Sequence, residues 1–370
     1  MRQWTVGWIC TLVLGFVAGP AWTMEPDPCI PPETLFALKV RPRQILTSAL
    51  VKDLGWDELL KTTLAAVEPA QEFLDTASLR IERDLESILW CMPSFPLADD
   101  PDAPPKAIDP ETGKIIQPDR PAGEKPAKLW LVVLQGKFSP KKITKALEDH
   151  GKAAGPFIWK LKEDGTTLLQ MESALGPIFL GFDGSSKIII SNRVERLKGC
   201  LAGTYDKPAN SSFVTGMKGI TDKESLWIVQ AVDADLKKQM AKGPADPAEA
   251  VLKEMKSFQF CMTLSDGIHG KLTIATTASR HASSIKALLA TRMKEIEVEL
   301  AEIFKDPKAR FPEEEDDGIE KVGGFVEAGI AYLAIKQGKL EVQGNDMVLL
   351  VGANRKSLEP LFQALGLSGK

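Results

Sequence analysis

Histidine and cysteine are scarce in this chain of 370 residues, which contains three histidines and five cysteines. A zinc site needs several such donors clustered at tetrahedral positions. His150, His269 and His281 are not spaced as a ligand pair, and no C-x-x-C motif occurs. The sequence therefore predicts neither a metal site nor a cofactor.

Motifs for nucleophilic catalysis and for phosphate-binding loops are also missing. G-x-S-x-G, G-x-x-x-x-G-K-[ST] and G-x-G-x-x-G do not occur. Ser139 and Lys142 fit S-x-x-K, as do Ser283 and Lys286, but the S-D-N and K-T-G companions of Ser/Lys acyl enzymes do not follow. We interpret Ser139 instead as the N-cap of a helix whose first residue is Pro140. No catalytic residue is predicted.

Charge of one sign is not in large excess, because 46 Lys and Arg stand against 50 Asp and Glu. Nucleic-acid binding needs a basic surface that neutralises phosphates, so nucleic acid is not an expected partner. One long apolar run opens the chain, and no second one follows it. We therefore expect no membrane span once that run has been removed.

The N-terminal run has the three parts of a secretory signal. Arg2 supplies a positive charge, residues 6–18 form an uncharged apolar core, and small residues at 19–21 suit a signal peptidase. That core is shorter than the roughly 20 apolar residues that span a bilayer as a helix. We predict cleavage after Ala21, so that residues 1–21 are a signal peptide and the mature protein is periplasmic or secreted. An uncleaved N-terminal anchor is the alternative, because Trp22 continues the apolar character.

Four cysteines remain after such cleavage, at positions 29, 91, 200 and 261. Export makes disulfides possible, and four cysteines allow three pairings, which the sequence leaves open. Cys91 and Cys261 lie in apolar, strand-like runs, where a small buried thiol is the simpler interpretation. Whether Cys29 and Cys200 pair with each other or with these two is undecided at this point.

Two stretches of the remaining chain read alike. Residues 86–92 and 256–262 both carry Ser, Cys and Met at equivalent places within β-type sequence. An upstream strand precedes each of them, at 35–40 and 226–231, and a strand followed by a helix comes after each. Four elements that recur in the same order indicate an internal duplication.

Each half reads β-α-β-β-α, closed by a further hairpin and a helix. Hairpin-linked strands with helices between them favour antiparallel or mixed sheets covered by helices. We predict an α+β protein of two tandem ferredoxin-like units, at residues 30–206 and 210–368. Asp183-Gly184 and Asp266-Gly267 are predicted hairpin turns, because such turns need residues that tolerate positive φ.

Residues 93–128 interrupt the first unit and contain nine prolines. Such a composition buries too little apolar surface to offset the entropy of ordering, so we predict an extended, disordered insertion. The equivalent join in the second unit is the short Asp266-Gly267 turn, so the insertion expands a hairpin connection. It is either a tether or recognition segment, or an insertion without function.

The export signal, the strand sequence ETLFALKVRP, the duplicated unit and the Pro-rich insertion together resemble exported proteins of unknown function from planctomycete-type bacteria. The resemblance covers most of the mature chain. It implies an extracytoplasmic protein and brings no activity and no site residues.

These observations favour a non-catalytic binding or structural protein of the cell envelope, whose partner is an unknown envelope protein or polymer. On this interpretation we expect a groove between the two units, lined by apolar and aromatic groups. An extracytoplasmic hydrolase with a site assembled from residues distant in sequence is the alternative. A third possibility is an assembly subunit that pairs through its sheet edges.

Overall fold

The computed structural model describes residues 27–53, 68–93, 129–154, 158–163, 166–173, 176–240, 253–305 and 336–358. The predicted signal peptide and nearly all of the 93–128 insertion lie outside these residues. The elements of the first half are β1 (Phe36–Val40), α1 (Pro42–Thr47), α2 (Ala49–Asp53), α3 (Glu68–Ala77), α4 (Ile81–Asp84), β2 (Leu85–Met92), β3 (Leu131–Gly136), α5 (Pro140–Ala154), β4 (Ile158–Glu163), β5 (Thr166–Ser173), β6 (Gly176–Asp183), β7 (Lys187–Ser191), α6 (Val194–Ala202) and α7 (Ser211–Met217). Those of the second half are β8 (Leu226–Ala231), α8 (Ala234–Met240), β9 (Met255–Leu264), β10 (Gly267–Thr276), α9 (Ser279–Lys305), β11 (Lys339–Gln343) and β12 (Asp346–Asn354).

All these strands join one sheet, in the order β11-β12-β10-β9-β8-β1-β2-β3-β7-β6-β5-β4. Every pairing between the described strands is antiparallel. The predicted α+β class with an antiparallel sheet is therefore confirmed. The ferredoxin-like arrangement is not confirmed. In a split β-α-β unit the two strands joined through a helix run parallel with a third strand between them, whereas β1 and β2 are adjacent and antiparallel.

The strand order repeats on the two sides of the β1–β8 pair. Outward from β1 it runs β2, β3, β7, β6, and outward from β8 it runs β9, β10, β12, β11. Each side is thus a three-strand meander extended by the later hairpin, and the first half adds β5 and β4 at its edge. The insertion at 93–128 connects β2 to β3, while a two-residue turn connects the equivalent strands β9 and β10.

The register at the centre of the sheet fixes how the two halves correspond. Leu38 pairs with Ile228, with Phe36–Gln230 and Val40–Leu226 placed evenly on either side of it. The sequence comparison had matched Leu38 to Val229, one position further on. Leu38 also pairs with Trp90, and Ile228 pairs with Phe260. Trp90 and Phe260 hold the same place in the matched segments 86–92 and 256–262, so Leu38 corresponds to Ile228. A one-residue shift would move the side chain to the other face of the sheet.

The two faces of the sheet are covered differently. On one face α6 packs against β6 and β7 and α7 packs against β8 and β9, above a core that includes Leu89, Val133 and Trp227. On the other face, α5 packs over the first half with Phe138 and Ile143, and α9 packs over the second half in a separate core. Among the residues that the structure describes, none of the helices combines the length and the apolar character that crossing a bilayer requires.

Glycine is required for different physical reasons at the two predicted turns. Gly184 follows Asp183 with φ +57, as the hairpin prediction requires. Gly267 does not adopt a positive φ, so that part of the prediction is wrong. A Cβ at Gly267 would lie 2.6 Å from the Ala353 carbonyl oxygen, so the close approach of β12 is what excludes a side chain there.

Candidate functional site

Three chain segments meet at one end of the first half, where β2 begins, β3 ends and the β6–β7 hairpin turns. The Lys137 N–H donates to the Asp84 carbonyl oxygen at 2.8 Å. The N–H groups of Gly136 and Phe138 donate to the carbonyl oxygens of Ser186 and Ser185, at 2.9 and 2.8 Å. These backbone bonds fix the relative positions of side chains that are distant in sequence.

Gly136 allows the closest of these approaches. A Cβ at this position would lie 1.9 Å from the Asp84 carbonyl oxygen, well inside the range of real contacts. The β2–β3 register also shifts here, between Leu85 and Ser87, as a β-bulge does. A cleft lies at this point, and Gly136 is one of the residues that line it.

The cleft has a volume of about 550 Å³. Its apolar lining comes from Ala77, Leu79 and Phe138, and Gly136 lies at its base. Its charged and hydroxyl lining comes from Ser78, Arg83, Asp84, Lys137, Ser139, Lys142, Ser185 and Ser186. The cleft therefore combines a small apolar surface with a rim of hydrogen-bonding groups.

Asp84 is the only acidic residue in this lining, and it is already paired. Its two carboxylate oxygens accept bonds from Nε and Nη2 of Arg83, both at 2.6 Å, and one also accepts the Arg80 N–H at 2.9 Å. Hydrogen bonding to Arg83 is the main cause that lowers the pKa of the Asp84 carboxyl from its usual value. Asp84 is thus ionised and neutralised, while the Arg83 side chain remains 60% exposed.

Two lysines add positive charge beyond the Arg83–Asp84 pair. Lys142 Nζ donates to the hydroxyl of Ser78 at 3.0 Å, and Ser78 is held at the unusual φ of +52. Lys137 is exposed at the end of β3 and makes no side-chain hydrogen bond or ion pair within the described part of the chain. With Arg83 and Asp84 cancelling, the lining carries a surplus of two positive charges.

The hydroxyl groups add neutral donors at the same place. Helix α5 begins at Pro140, as predicted, and the Ile143 N–H bonds to the backbone oxygen of Ser139. The expected capping bond to the Ser139 hydroxyl is not found within the described ranges, so this hydroxyl is available to the cleft. The hydroxyl of Ser185 is likewise exposed in the β6–β7 turn.

The equivalent junction of the second half keeps the backbone and changes the side chains. Thr277 N–H donates to the Glu254 carbonyl oxygen at 3.1 Å, in the way that Lys137 does to Asp84. A register shift also recurs at the start of β9, opposite the end of β10. A threonine therefore stands at the position that holds a lysine in the first half.

Glu254, Thr277 and His281 form a closed cluster at this second junction. The Thr277 hydroxyl lies 2.7 Å from Glu254 Oε2 and 2.7 Å from His281 Nδ1. Arg280 Nε–H donates to His281 Nε2 at 3.1 Å, so a neutral His281 carries its hydrogen on Nδ1 and donates it towards Thr277. The Thr277 hydroxyl then donates to Glu254 rather than to the histidine, which favours a structural role at the start of α9 over nucleophilic catalysis.

The structure does not gather the three histidines at one place. His281 is in the first turn of α9, and His269 is within β10. His150 is within α5, and its side chain lies outside the described part. No group of three or more His, Cys, Asp or Glu residues that could hold a metal occurs among the described residues.

Cysteine pairing is resolved by the fold. Cys29 and Cys200 form a disulfide, with Cα atoms 4.7 Å apart, in the core between β1, β2 and α6. Cys91 and Cys261 are free and buried, as interpreted from the sequence. Burial raises the pKa of both thiols, which keeps them protonated and unreactive.

Buried charges near the disulfide are paired with one another. Lys39 Nζ lies 3.3 Å from Asp27 Oδ2, and both side chains are less than a tenth exposed. Arg196 is similarly buried and pairs with the half-exposed Glu33. None of the four lines the cleft, so they hold the segment before β1 against the sheet rather than form a site.

Comparison of the chain with protein-family models, with curated proteins and with solved structures found no match. The interpretation of this site therefore depends on its own geometry. The expected groove between the two halves, lined by aromatic groups, is not where the cleft described above lies. That cleft lies within the first half, and its rim is cationic.

Proposed function

We propose that this is an exported, non-catalytic binding protein of the cell envelope, and that the cleft of the first half is its ligand site. The cleft with its surplus of two positive charges carries this proposal. Its only carboxylate is paired with Arg83, and among the residues that the structure describes the Lys137 ammonium and the Ser185 hydroxyl have no hydrogen-bond partner. Unpaired donors that converge on a preformed cleft are typical of a binding site.

The extracytoplasmic location is supported by two independent features. Residues 1–21 have the composition of a cleaved signal, and disulfides such as Cys29–Cys200 persist mainly in oxidising compartments. We expect N-terminal sequencing of the exported form to begin at Trp22. A start at Met1 would overturn the cleavage and leave the N-terminal anchor.

We also propose that the two halves are tandem copies of one ancestral unit. The mirrored strand order, the recurring register shift and the shared backbone bonds at the two junctions support this. The first copy places the lysine-lined cleft at this junction, while the second copy places the hydrogen-bonded cluster of Glu254, Thr277 and His281 there.

The binding proposal is tested by blocking the cleft. Ser185→Trp places a large side chain in the cleft from an exposed turn and leaves the backbone bond of Ser185 intact. Ser283→Trp, on an exposed face of α9, is the matched control. We expect immobilised mature protein to retain envelope material that mass spectrometry detects, and expect retention by Ser283→Trp but not by Ser185→Trp.

Equal retention by the two tryptophan variants would refute the cleft as the binding site. Retained material that is released in cleaved form would replace binding with the hydrolase alternative. A variant that lacks residues 93–128 is included in the same assay. If its retention equals that of the intact protein, the insertion is not the recognition segment.

A further inference from the structure

We infer that the ligand of this cleft carries a phosphate monoester group. The inference rests on the proposed binding function and names the chemistry that the site would recognise. Its basis is the combination of charge, donor number and volume in one cleft, compared with the equivalent junction of the second half.

Charge separates a phosphate monoester from a carboxylate. A phosphate monoester carries about −1.5 to −2 charges at pH 7, because its second pKa is near 6. The surplus of two positive charges in the cleft, from Lys137 and Lys142 beyond the Arg83–Asp84 pair, matches that value. A carboxylate, with one charge, would compensate only about half of this surplus.

The number and type of donors point the same way. The cleft offers the ammonium groups of Lys137 and Lys142, the exposed edge of Arg83, and the hydroxyls of Ser139 and Ser185. Phosphate has three strong acceptor oxygens, each able to accept several bonds, whereas a carboxylate has two oxygens in one plane. The Ser139 hydroxyl also stands at the start of α5, where an anion is favoured by the helix dipole.

The volume indicates that phosphate is only part of the ligand. A cleft of about 550 Å³ is within the range of sites for small organic molecules and is far larger than an inorganic anion. Ala77, Leu79 and Phe138 provide apolar surface beside the cationic rim. The ligand is therefore an organic molecule that presents a terminal phosphate.

The equivalent junction of the second half carries different side chains. At the equivalent junction Thr277 takes the place of Lys137, and Glu254 takes the place of Asp84. Glu254 has no bidentate guanidinium partner, and the hydrogen bond from Thr277 is the main cause that lowers its pKa. His281, Lys237 and Arg280 also act on this carboxylate, so the two junctions place different sets of charged groups on the same backbone frame.

The test is isothermal titration calorimetry of the mature protein with phenyl phosphate and with benzoate. The two probes share an aromatic body and differ in the anionic group. Lys137→Gln and Lys142→Gln are compared with Lys141→Gln, because Lys141 is exposed on the same helix but does not line the cleft. All three variants remove one surface charge and are expected to fold, which urea titration verifies.

We expect phenyl phosphate to bind at least about tenfold more tightly than benzoate, since it makes more charge-assisted bonds. Lys137→Gln and Lys142→Gln should each weaken phenyl phosphate binding about tenfold, the usual loss for one such bond, while Lys141→Gln stays within about twofold. Affinity should fall below about pH 6, where the monoester loses one charge.

Three results would overturn the inference. Benzoate binding as tight as that of phenyl phosphate, with the same response to the variants, would make the site a carboxylate site and leave the binding proposal intact. Equal weakening by Lys141→Gln would reduce the effect to general electrostatics. Absence of probe binding, together with a retention difference between Ser185→Trp and Ser283→Trp, would reject phosphate while keeping the cleft; loss of that difference would reject the proposed function itself.

Discussion

Removal of the Cys29–Cys200 disulfide should lower the free energy of unfolding by an amount that depends on how far apart the two cysteines are in the sequence. The bond links residues separated by 171 positions, and both sulfurs are in the core. Closing a loop of this length removes conformational entropy from the unfolded chain worth about 5 kcal/mol at 25 °C in the chain-entropy treatment. Native disulfides usually contribute less than this value, so we expect Cys29→Ala/Cys200→Ala to lower the free energy of unfolding by about 2–5 kcal/mol.

The assay is urea unfolding of the mature protein, followed by circular dichroism, with and without dithiothreitol. Cys91→Ala is the matched control, because Cys91 belongs to the same core and is not bonded. We expect that control to lose about 1 kcal/mol from packing alone. Reductant should bring the wild-type midpoint close to that of the double variant and should not move the midpoint of the double variant.

Two outcomes would contradict this reasoning. A double variant no less stable than Cys91→Ala would show that the cross-link does not restrict the unfolded chain. A wild-type midpoint that does not respond to reductant would show that the pairing of Cys29 with Cys200 is absent in solution. Alkylation under denaturing, non-reducing conditions gives an independent check, since it should label two cysteines in the mature protein rather than four.

The remaining predictions concern the cleft and the buried thiols. Gly136→Ala should lower the free energy of unfolding in urea by at least about 3 kcal/mol, because its Cβ would overlap a backbone oxygen. Gly184→Ala should lower it by about 1–2 kcal/mol, because Gly184 has a positive φ but open space around it. Equal losses would contradict the close contact at Gly136. Asp84→Asn should cost about 1 kcal/mol at pH 7, since its partner guanidinium is mostly exposed. Because the folded-state pKa of Asp84 is lowered, this difference should be full above the unfolded value of 3.8 and disappear as the pH falls through the folded value; a difference that grows in acid would refute the pairing. Cys91 and Cys261 should not react with Ellman's reagent at pH 8 until urea unfolds the protein, and rapid labelling of the native state would show that they are accessible.

The cleft could not be located from the sequence, although parts of it were visible there. Ser139 and Lys142 were noticed as a catalytic-looking pair and were set aside, and the structure brings both to the cleft in another role. Arg83 and Ser185 had no signal of their own, because their importance comes from backbone bonds that join positions about 50 residues apart. Motif patterns depend on residue spacing within one short segment, so they do not detect residues that come together from distant segments.

The sequence by itself determined the type and order of most elements, while the additional strands β4 and β5 of the first half were not part of the predicted unit. Alternation and helical periodicity depend on local side-chain patterns, so the strands containing Cys91 and Cys261, the long helix α9 and the recurrence of elements in two halves could all be predicted. Only the tertiary structure decided that β1 and β8 join both halves into one sheet, and that Leu38 faces Ile228 rather than its neighbour. Which distant segments meet decides the strand partners, the disulfide pairing and the cationic cleft. The segments that meet are those whose apolar faces can all be buried together, and a local sequence pattern does not show this.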